Sequence, residues 1–433
     1  MNIIIPLRVP GSKFSTLFKA LVLLLCLSAP LGWADARDDT IAALRTQLEA
    51  ISERLERLEA QQQTTLETPA SPTTTAEVNT AQATPVQVTR SKVAAANTLD
   101  RSIKYNSDFR YRFESFDIQN TPDRHRNRVR ARFGIKAPVT ETTLLGFGLA
   151  SGSDDPISSN QSLGDNFSSK QVNIDQAYLR WQPTGQDMDV FAGKFKNPLY
   201  RAGGSGLLWD GDLRPEGFAL KYARGDMFVN ALGTWIDESK SADDVLLLGA
   251  QLGLQRSVLS NASLTAGVGY YQYTGIEQYT AYDGPPEAAP EEIGGNRLTA
   301  EGRYVSGFDL LEGFAQLKFP TAQGSATLYG SYVQNLAASD YDTGYIFGAK
   351  LGVGDWSIGW AYQELEADAV YAILTDSDFA GGGTDSQGHK LSASYSLSKK
   401  VKLGATLFLN DRDRDLGDDD DYQRLMLDLV IKY

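Results

Sequence analysis

The chain has 433 residues, 22% charged and 10% aromatic, with a net charge of −13. That acidic balance argues against nucleic acid as a partner, because binding phosphates needs a basic footprint. The only cysteine is Cys26, so no intrachain disulfide can hold the fold and other forces must.

Residues 1–34 read as a secretory signal peptide. Arg8, Lys13 and Lys19 form its positive region, ALVLLLCLSAPL its apolar run, and Gly32-Trp33-Ala34 a small-x-small cleavage pattern. The run is short of the roughly 20 apolar residues a membrane helix needs. Leu25 precedes Cys26 where lipoprotein signals carry a small residue, which argues against a lipid anchor. Cleavage would remove three positive charges together with Cys26.

Residues 35–60 contain a short α-helical coiled coil. Ile41, Leu44, Leu48, Ile51, Leu55 and Leu58 recur at alternating spacings of three and four, an a/d seam that expects partner helices. Within it RLERLE resembles the signature of short trimeric coiled coils. The resemblance implies that Arg54 pairs with Glu59 of a neighbouring chain over a core of Leu55 and Leu58; a solvated surface helix is the alternative. Residues 61–102, rich in Thr, Ala, Gln and Pro, lack the apolar content to fold alone and read as an extended linker.

From residue 103 the pattern changes to a period of two. RHRNRVRARFG sets an arginine at every second position from Arg124 to Arg132, with Val129 and Ala131 between the last three. Alternation of this kind places the two residue types on opposite faces of a β-strand. Sixteen such segments are expected, at 104–118, 125–137, 143–150, 172–182, 188–194, 217–223, 226–236, 245–254, 262–273, 308–319, 325–336, 343–353, 355–365, 388–397, 400–410 and 422–433. Short polar turns such as PTGQD, ARGD and GVGD follow the even segments. The longer connections, 151–171, 195–216, 274–307, 366–387 and 411–421, follow odd ones.

Short turns on one rim, long loops on the other and an even count of strands describe a transmembrane antiparallel β-barrel of about 16 strands. In the last segment Leu425, Leu427, Leu429, Ile431 and Tyr433 share one face while Arg424, Asp428 and Lys432 share the other. A closed barrel would turn the apolar face to lipid. The expected fold class is therefore all-β, with the barrel at 103–433 preceded by the coiled coil.

The opening FRYRFESFD…NRVRARFG, the loop GKFKNPLYR…LLWDGDLRPEG and the aromatic C-terminus resemble Gram-negative outer-membrane porins of the general or phosphate-selective type. The nearest resemblance is to a porin family with an N-terminal periplasmic coiled coil. It implies a homotrimer of water-filled channels in the cell outer membrane, among lipid and lipopolysaccharide, with the N-terminal segment in the periplasm and possible contact of the coiled coil with peptidoglycan. The terminal aromatic resembles the signal read by the barrel-assembly machinery, although Tyr433 stands where Phe is commoner.

If the polar faces of the first two strands look inward, Arg110, Arg112, Arg128, Arg130 and Arg132 form a basic wall; outward arginines would cost about 2–4 kcal/mol each at the bilayer midplane. By the same resemblance the loop after the fifth segment folds into the barrel and narrows it. Asp210, Asp212 and Glu216 would then supply its acidic side, tempered by Lys196, Arg201 and Arg214. Opposed charges in a narrow pore filter solutes by size and by field.

No metal or cofactor is expected. The acidic run NDRDRDLGDDDDY has Leu416 where a calcium loop needs glycine, and no glutamate closes it. An enzyme is not expected either: His125 and His389, the only candidate bases of histidine type, sit beside arginine or lysine near strand ends. The expected function is passive diffusion of small hydrophilic solutes and ions. A substrate-specific anion channel, for phosphate for example, and an anchor tethering the membrane to the cell wall are the alternatives.

Overall fold

The computed structural model describes residues 103–240, 243–258, 261–280, 294–417 and 419–433. The signal peptide, the coiled coil with Arg54, Leu55, Leu58 and Glu59, and the linker lie outside the described residues.

The strands run β1 (Lys104–Ile118), β2 (Arg124–Pro138), β3 (Thr143–Ser151), β4 (Gln161–Ser162), β5 (Val172–Trp181), β6 (Met188–Lys194), β7 (Glu216–Arg224), β8 (Met227–Asp237) and β9 (Val245–Val258). They continue with β10 (Ala262–Thr274), β11 (Phe308–Thr321), β12 (Gly324–Asn335), β13 (Thr343–Val353), β14 (Trp356–Leu365), β15 (Ser386–Ser396), β16 (Val401–Arg412) and β17 (Asp420–Lys432). Each long strand pairs antiparallel with its neighbours, and β17 returns to pair with β1, so the sheet has no edge. Leaving out β4, sixteen long strands close the barrel, as the period-two segments predict. The two-residue β4 was not expected; it belongs to the connection after β3 and pairs Gln161 and Ser162 with Val129 and Arg128 of β2.

The register decides which face each side chain takes. Phe109 pairs with Ile431 and Arg112 with Asp428 across the seam. Leu427 is 44% exposed on the outer surface, whereas Arg112 and Arg424 are buried inside. At the seam's end Tyr433 and Ser107 exchange both backbone hydrogen bonds, at 2.9 and 3.0 Å.

One part of the interior departs from the sequence reading, which gives the inner face to polar residues. Leu232, Leu247, Tyr271, Leu310, Val333, Ile346 and Leu365 all lie in one buried apolar cluster. Long connections supply the rest of it, through Leu207, Trp209, Ile276, Tyr304, Val370 and Tyr371. Loops that fold into a barrel must bury apolar side chains against its wall to stay there, so this stretch of wall is apolar on the inside as well.

A candidate constriction inside the barrel

Two connections meet within the barrel: L3 (residues 195–215, between β6 and β7) and L7 (residues 366–385, between β14 and β15). L3 is held by apolar anchors. Phe195, Leu199, Leu207, Leu208, Trp209 and Leu213 are all buried, and Trp209 meets Tyr271 of β10 edge-on at 5.2 Å. The loop's tip is a short turn, Ala202–Gly204. There the Gly203 N–H donates to Gln316 Oε1 at 2.8 Å, and Lys350 Nζ donates to the Gly203 carbonyl. Gly203 has φ of 64°, and a Cβ on it would stand 2.4 Å from the Tyr329 ring, so only glycine fits.

L7 lies against L3. The Asp210 N–H donates to the Leu374 carbonyl at 2.8 Å and the Asp376 N–H to the Gly206 carbonyl at 3.1 Å. Its near end is fixed by Asp368, which accepts from Arg297 at 2.7 Å and from Ser306 at 3.0 Å. Its far end reaches the arginines of the wall: Asp378 lies 3.0 Å from Arg112 and 2.9 Å from Arg424.

The wall itself is built from like charges placed opposite one another. Arg110 pairs in register with Arg130, and Arg112 with Arg128. Such pairs are unfavourable without counter-ions, and the structure supplies them. Arg132 lies 2.9 Å from Asp212, Arg130 lies 3.0 Å from Asp108, and Arg112 also lies 2.7 Å from Asp428. Glu114 takes Arg424 at 2.6 Å and Arg126. Arg110 has a longer contact, 3.9 Å, to Asp428 and donates to Asn160. Arg128 donates to the Asn160 carbonyl at 3.2 Å and to Ser158 at 3.4 Å, both on the connection after β3.

Between wall and loops is a cavity of about 210 Å³, lined by Arg110, Arg130, Arg201, Asp210, Asp212, Asp376 and Asp378 among others. The carboxylates differ in state. Burial, then the neighbouring Asp376, push Asp210 up to about 8. Burial would also raise Asp212, but Arg132 and Arg130 outweigh it and hold that carboxyl below its ordinary value. Asp378, though buried, is held lower still by Arg424 and Arg112. The site therefore sets fixed cations against fixed anions, with one carboxyl titrating near neutrality.

The sequence model of the family described as "Putative porin" matches residues 84–291 and 330–413. The chain belongs to this porin family. It is accordingly an outer-membrane β-barrel channel protein. Among solved structures, a high-pH structure of Pseudomonas putida OprB aligns over 77% of this chain and 95% of its own, with 12% identity and a TM-score of 0.54. A triple mutant of the Rhodopseudomonas blastica porin aligns over 77% and 100%, with 11% identity and a TM-score of 0.45. At such identities the first likeness speaks to the fold alone. None of the curated proteins matches the chain.

Of the residues singled out in the porin's sequence, the structure brings together Arg110, Arg112, Arg128, Arg130, Arg132, Arg201, Asp210 and Asp212. Arg201 donates to the Trp209 carbonyl at 2.8 Å and so braces L3. Arg214 is tied to Asp175 at 3.1 Å, and Lys196 hangs nearer the short-turn rim. Glu216 does not join them. It opens β7 on the same side as the exposed Phe218, has a side chain 62% exposed, and pairs with Lys194 at 2.6 Å. The strand begins one residue earlier than the sequence suggests, which takes Glu216 out of the loop and turns it outward.

Glu114, Asp108, Asp376, Asp378, Arg424 and Asp428 were not singled out as site residues, although each contributes to this network. Arg424 and Asp428 share the inner face of the last strand by simple alternation, which was the available signal. Among the described residues no group of three or more His, Cys, Asp or Glu could hold a metal ion.

Proposed function

We propose that this porin passes small hydrophilic solutes and ions by passive diffusion, through a passage bounded by the arginines of β1 and β2 on one side and by L3 and L7 on the other. The observation that carries this reading is the set of opposed Arg and Asp side chains around one cavity inside a closed barrel. Such a field selects by charge and size without a dedicated binding pocket.

The test is conductance and reversal potential of the purified protein in a planar bilayer under a salt gradient. The triple variant Arg128→Ala/Arg130→Ala/Arg132→Ala is expected to conduct with reduced preference for anions, because Asp108 and Asp212 lose their partners. Folded, inserted protein that does not conduct would refute diffusion and favour an anchor to the cell wall. Conductance that saturates with one anion would favour a substrate-specific channel.

The same reading includes a homotrimer, with Arg54, Leu55, Leu58 and Glu59 pairing the N-terminal helices in the periplasm beside peptidoglycan. It also includes lipopolysaccharide around the barrel and recognition of Tyr433 by the assembly machinery. Conductance steps in groups of three would support the trimer.

Asp210 gives the channel a pH dependence. With its value at about 8, it is neutral below that pH and adds a negative charge to the cavity above it. Cation preference is therefore expected to rise between about pH 7 and pH 9 and to stay flat in Asp210→Asn. The stability sign is the reverse of that for a salt-bridged carboxylate. Because the folded value lies above the ordinary 3.8, the native state holds a proton that the unfolded chain has released. This contribution to stability is lost as pH rises from about 4 to about 8. A reversal potential with equal pH dependence in wild type and variant would remove Asp210 from this role.

A further inference from the structure

L7 carries two of the carboxylates that face the arginines, and part of what holds it there comes from another connection. L5 joins β10 to β11 (residues 275–307), and its described segment 294–307 meets both ends of L7. Asn296 is buried there. Its Nδ2 donates to the Ala367 carbonyl at 2.7 Å and to the Val370 carbonyl at 2.8 Å, and its Oδ1 accepts from the Ala372 N–H at 2.9 Å. The side-chain amide thus commits two donors and its acceptor to the backbone of L7. The next residue does likewise, since the Arg297 N–H donates to Asp368 Oδ1 at 2.9 Å. At the far end of L7 the Thr384 N–H donates to the Gly294 carbonyl at 3.0 Å, and a Cβ on Gly295 would stand 2.7 Å from the Thr384 carbonyl. The two backbones meet this closely because a glycine lies between them.

Val370, Tyr371 and Leu374 bury L7 against the barrel wall, but burial is non-directional and does not choose which residues face the arginines. The amide of Asn296 does. Ala372 opens the short helical turn Ala372–Leu374, whose first N–H has no partner within the turn; Asn296 supplies one. Just beyond that turn Asp376 lies 3.3 Å from Lys390, and Asp378 lies 3.0 Å from Arg112 and 2.9 Å from Arg424. Fixing Ala372 therefore fixes where two carboxylates meet three cations of the wall.

We propose that Asn296 is a positioning residue for the channel: it holds L7 in place, and L7 so placed sets the preference between cations and anions by covering Arg112, Arg424 and Lys390 with Asp376 and Asp378. The proposal rests on the diffusion-channel reading and names what sets its charge selectivity. With L7 displaced, the two carboxylates withdraw and the passage becomes more basic. Arg112 and Arg424 keep Asp428 and Glu114 as partners, so the wall itself remains compensated enough to stay folded.

The test measures the chloride-to-potassium permeability ratio from reversal potentials in a planar bilayer under a potassium chloride gradient. In Asn296→Ala the ratio is expected to rise about threefold, the scale of two unit charges moved away through water. Urea unfolding of the barrel is expected to stay near that of wild type, because Asn296 belongs to no strand. Asp376→Asn/Asp378→Asn should raise the ratio by a similar factor. Combined with Asn296→Ala, that pair should add little, because carboxylates already withdrawn no longer act on the passage. Gly295→Ala disturbs the same seat by steric clash and should shift the ratio in the same direction; it carries the test if Asn296→Ala does not insert. An unchanged ratio in the inserted variant, or effects of Asn296→Ala and the aspartate pair that multiply in full, would overturn the positioning role and leave the channel standing. Folded, inserted wild-type protein that fails to conduct would remove the channel reading and this proposal with it.

Discussion

Replacing Arg424 with Met is expected to destabilise the barrel by about 3–5 kcal/mol, the usual cost of removing one member of a buried ionic cluster. Arg424 is 2% exposed and lies 2.6 Å from Glu114, whose side chain is fully buried. It also lies 2.9 Å from Asp378, so the variant releases a carboxylate of the wall and one of L7 together. Arg126 and Arg112 would remain as partners but cannot replace both contacts. The penalty comes from charge left uncompensated, not from any large net worth of the original pairs. The double variant Arg424→Met/Glu114→Gln should therefore recover part of the loss. Urea unfolding in lipid vesicles, followed by tryptophan fluorescence, measures both. Equal stability of wild type and the single variant would show that Arg126 and Arg112 suffice to compensate Glu114 and Asp378 without Arg424.

That cluster also marks where sequence reasoning stops. Alternation identified all sixteen long strands, because the lipid and interior faces impose a period of two on every segment. It also placed Arg110, Arg112, Arg128, Arg130 and Arg132 on one face. It could not name their partners, since Arg112 and Asp378 are 266 residues apart in the chain, and Arg424 and Glu114 are 310 apart. Local pattern carries no information about such meetings.

L7 was missed for a different reason: length marked it as a long loop, and loops are usually solvated. Its composition held the clue. Ala369, Val370, Tyr371, Ile373, Leu374 and Phe379 give it an apolar content that a solvated loop does not need. The same test applied to L3 finds Leu207, Leu208 and Trp209, which the charge-based reading passed over in favour of Asp210 and Asp212. In both loops the apolar residues decide position and the charged residues then meet the wall. Glu216 was misassigned because a one-residue error at the start of β7 changes the face of a side chain, whereas Lys196 lies in L3 as expected, beyond the end of β6, and simply stands at a different depth.

This division of labour makes Trp209→Ala the most informative change for testing L3 as the proposed constriction. Trp209 is 2% exposed, packs edge-on against Tyr271 and adjoins Asp210, which is bonded to L7. Truncating a buried tryptophan costs about 3–5 kcal/mol. Here the cost falls on the docking of L3, because Trp209 belongs to no strand and its loss breaks none of the hydrogen bonds that close the barrel. Single-channel conductance is therefore expected to rise by about twofold or more and to fluctuate between levels as the loop leaves and regains its seat. Trp209→Phe keeps an aromatic face toward Tyr271 and should retain most of the wild-type level. Unfolding of the barrel in urea should shift far less in Trp209→Ala than in Arg424→Met, since one change loosens a loop and the other leaves charges stranded against the wall. An unchanged, quiet conductance in Trp209→Ala would mean that L3 does not set the narrowest point, and the limiting element would then be sought in L7 and the strands that hold it.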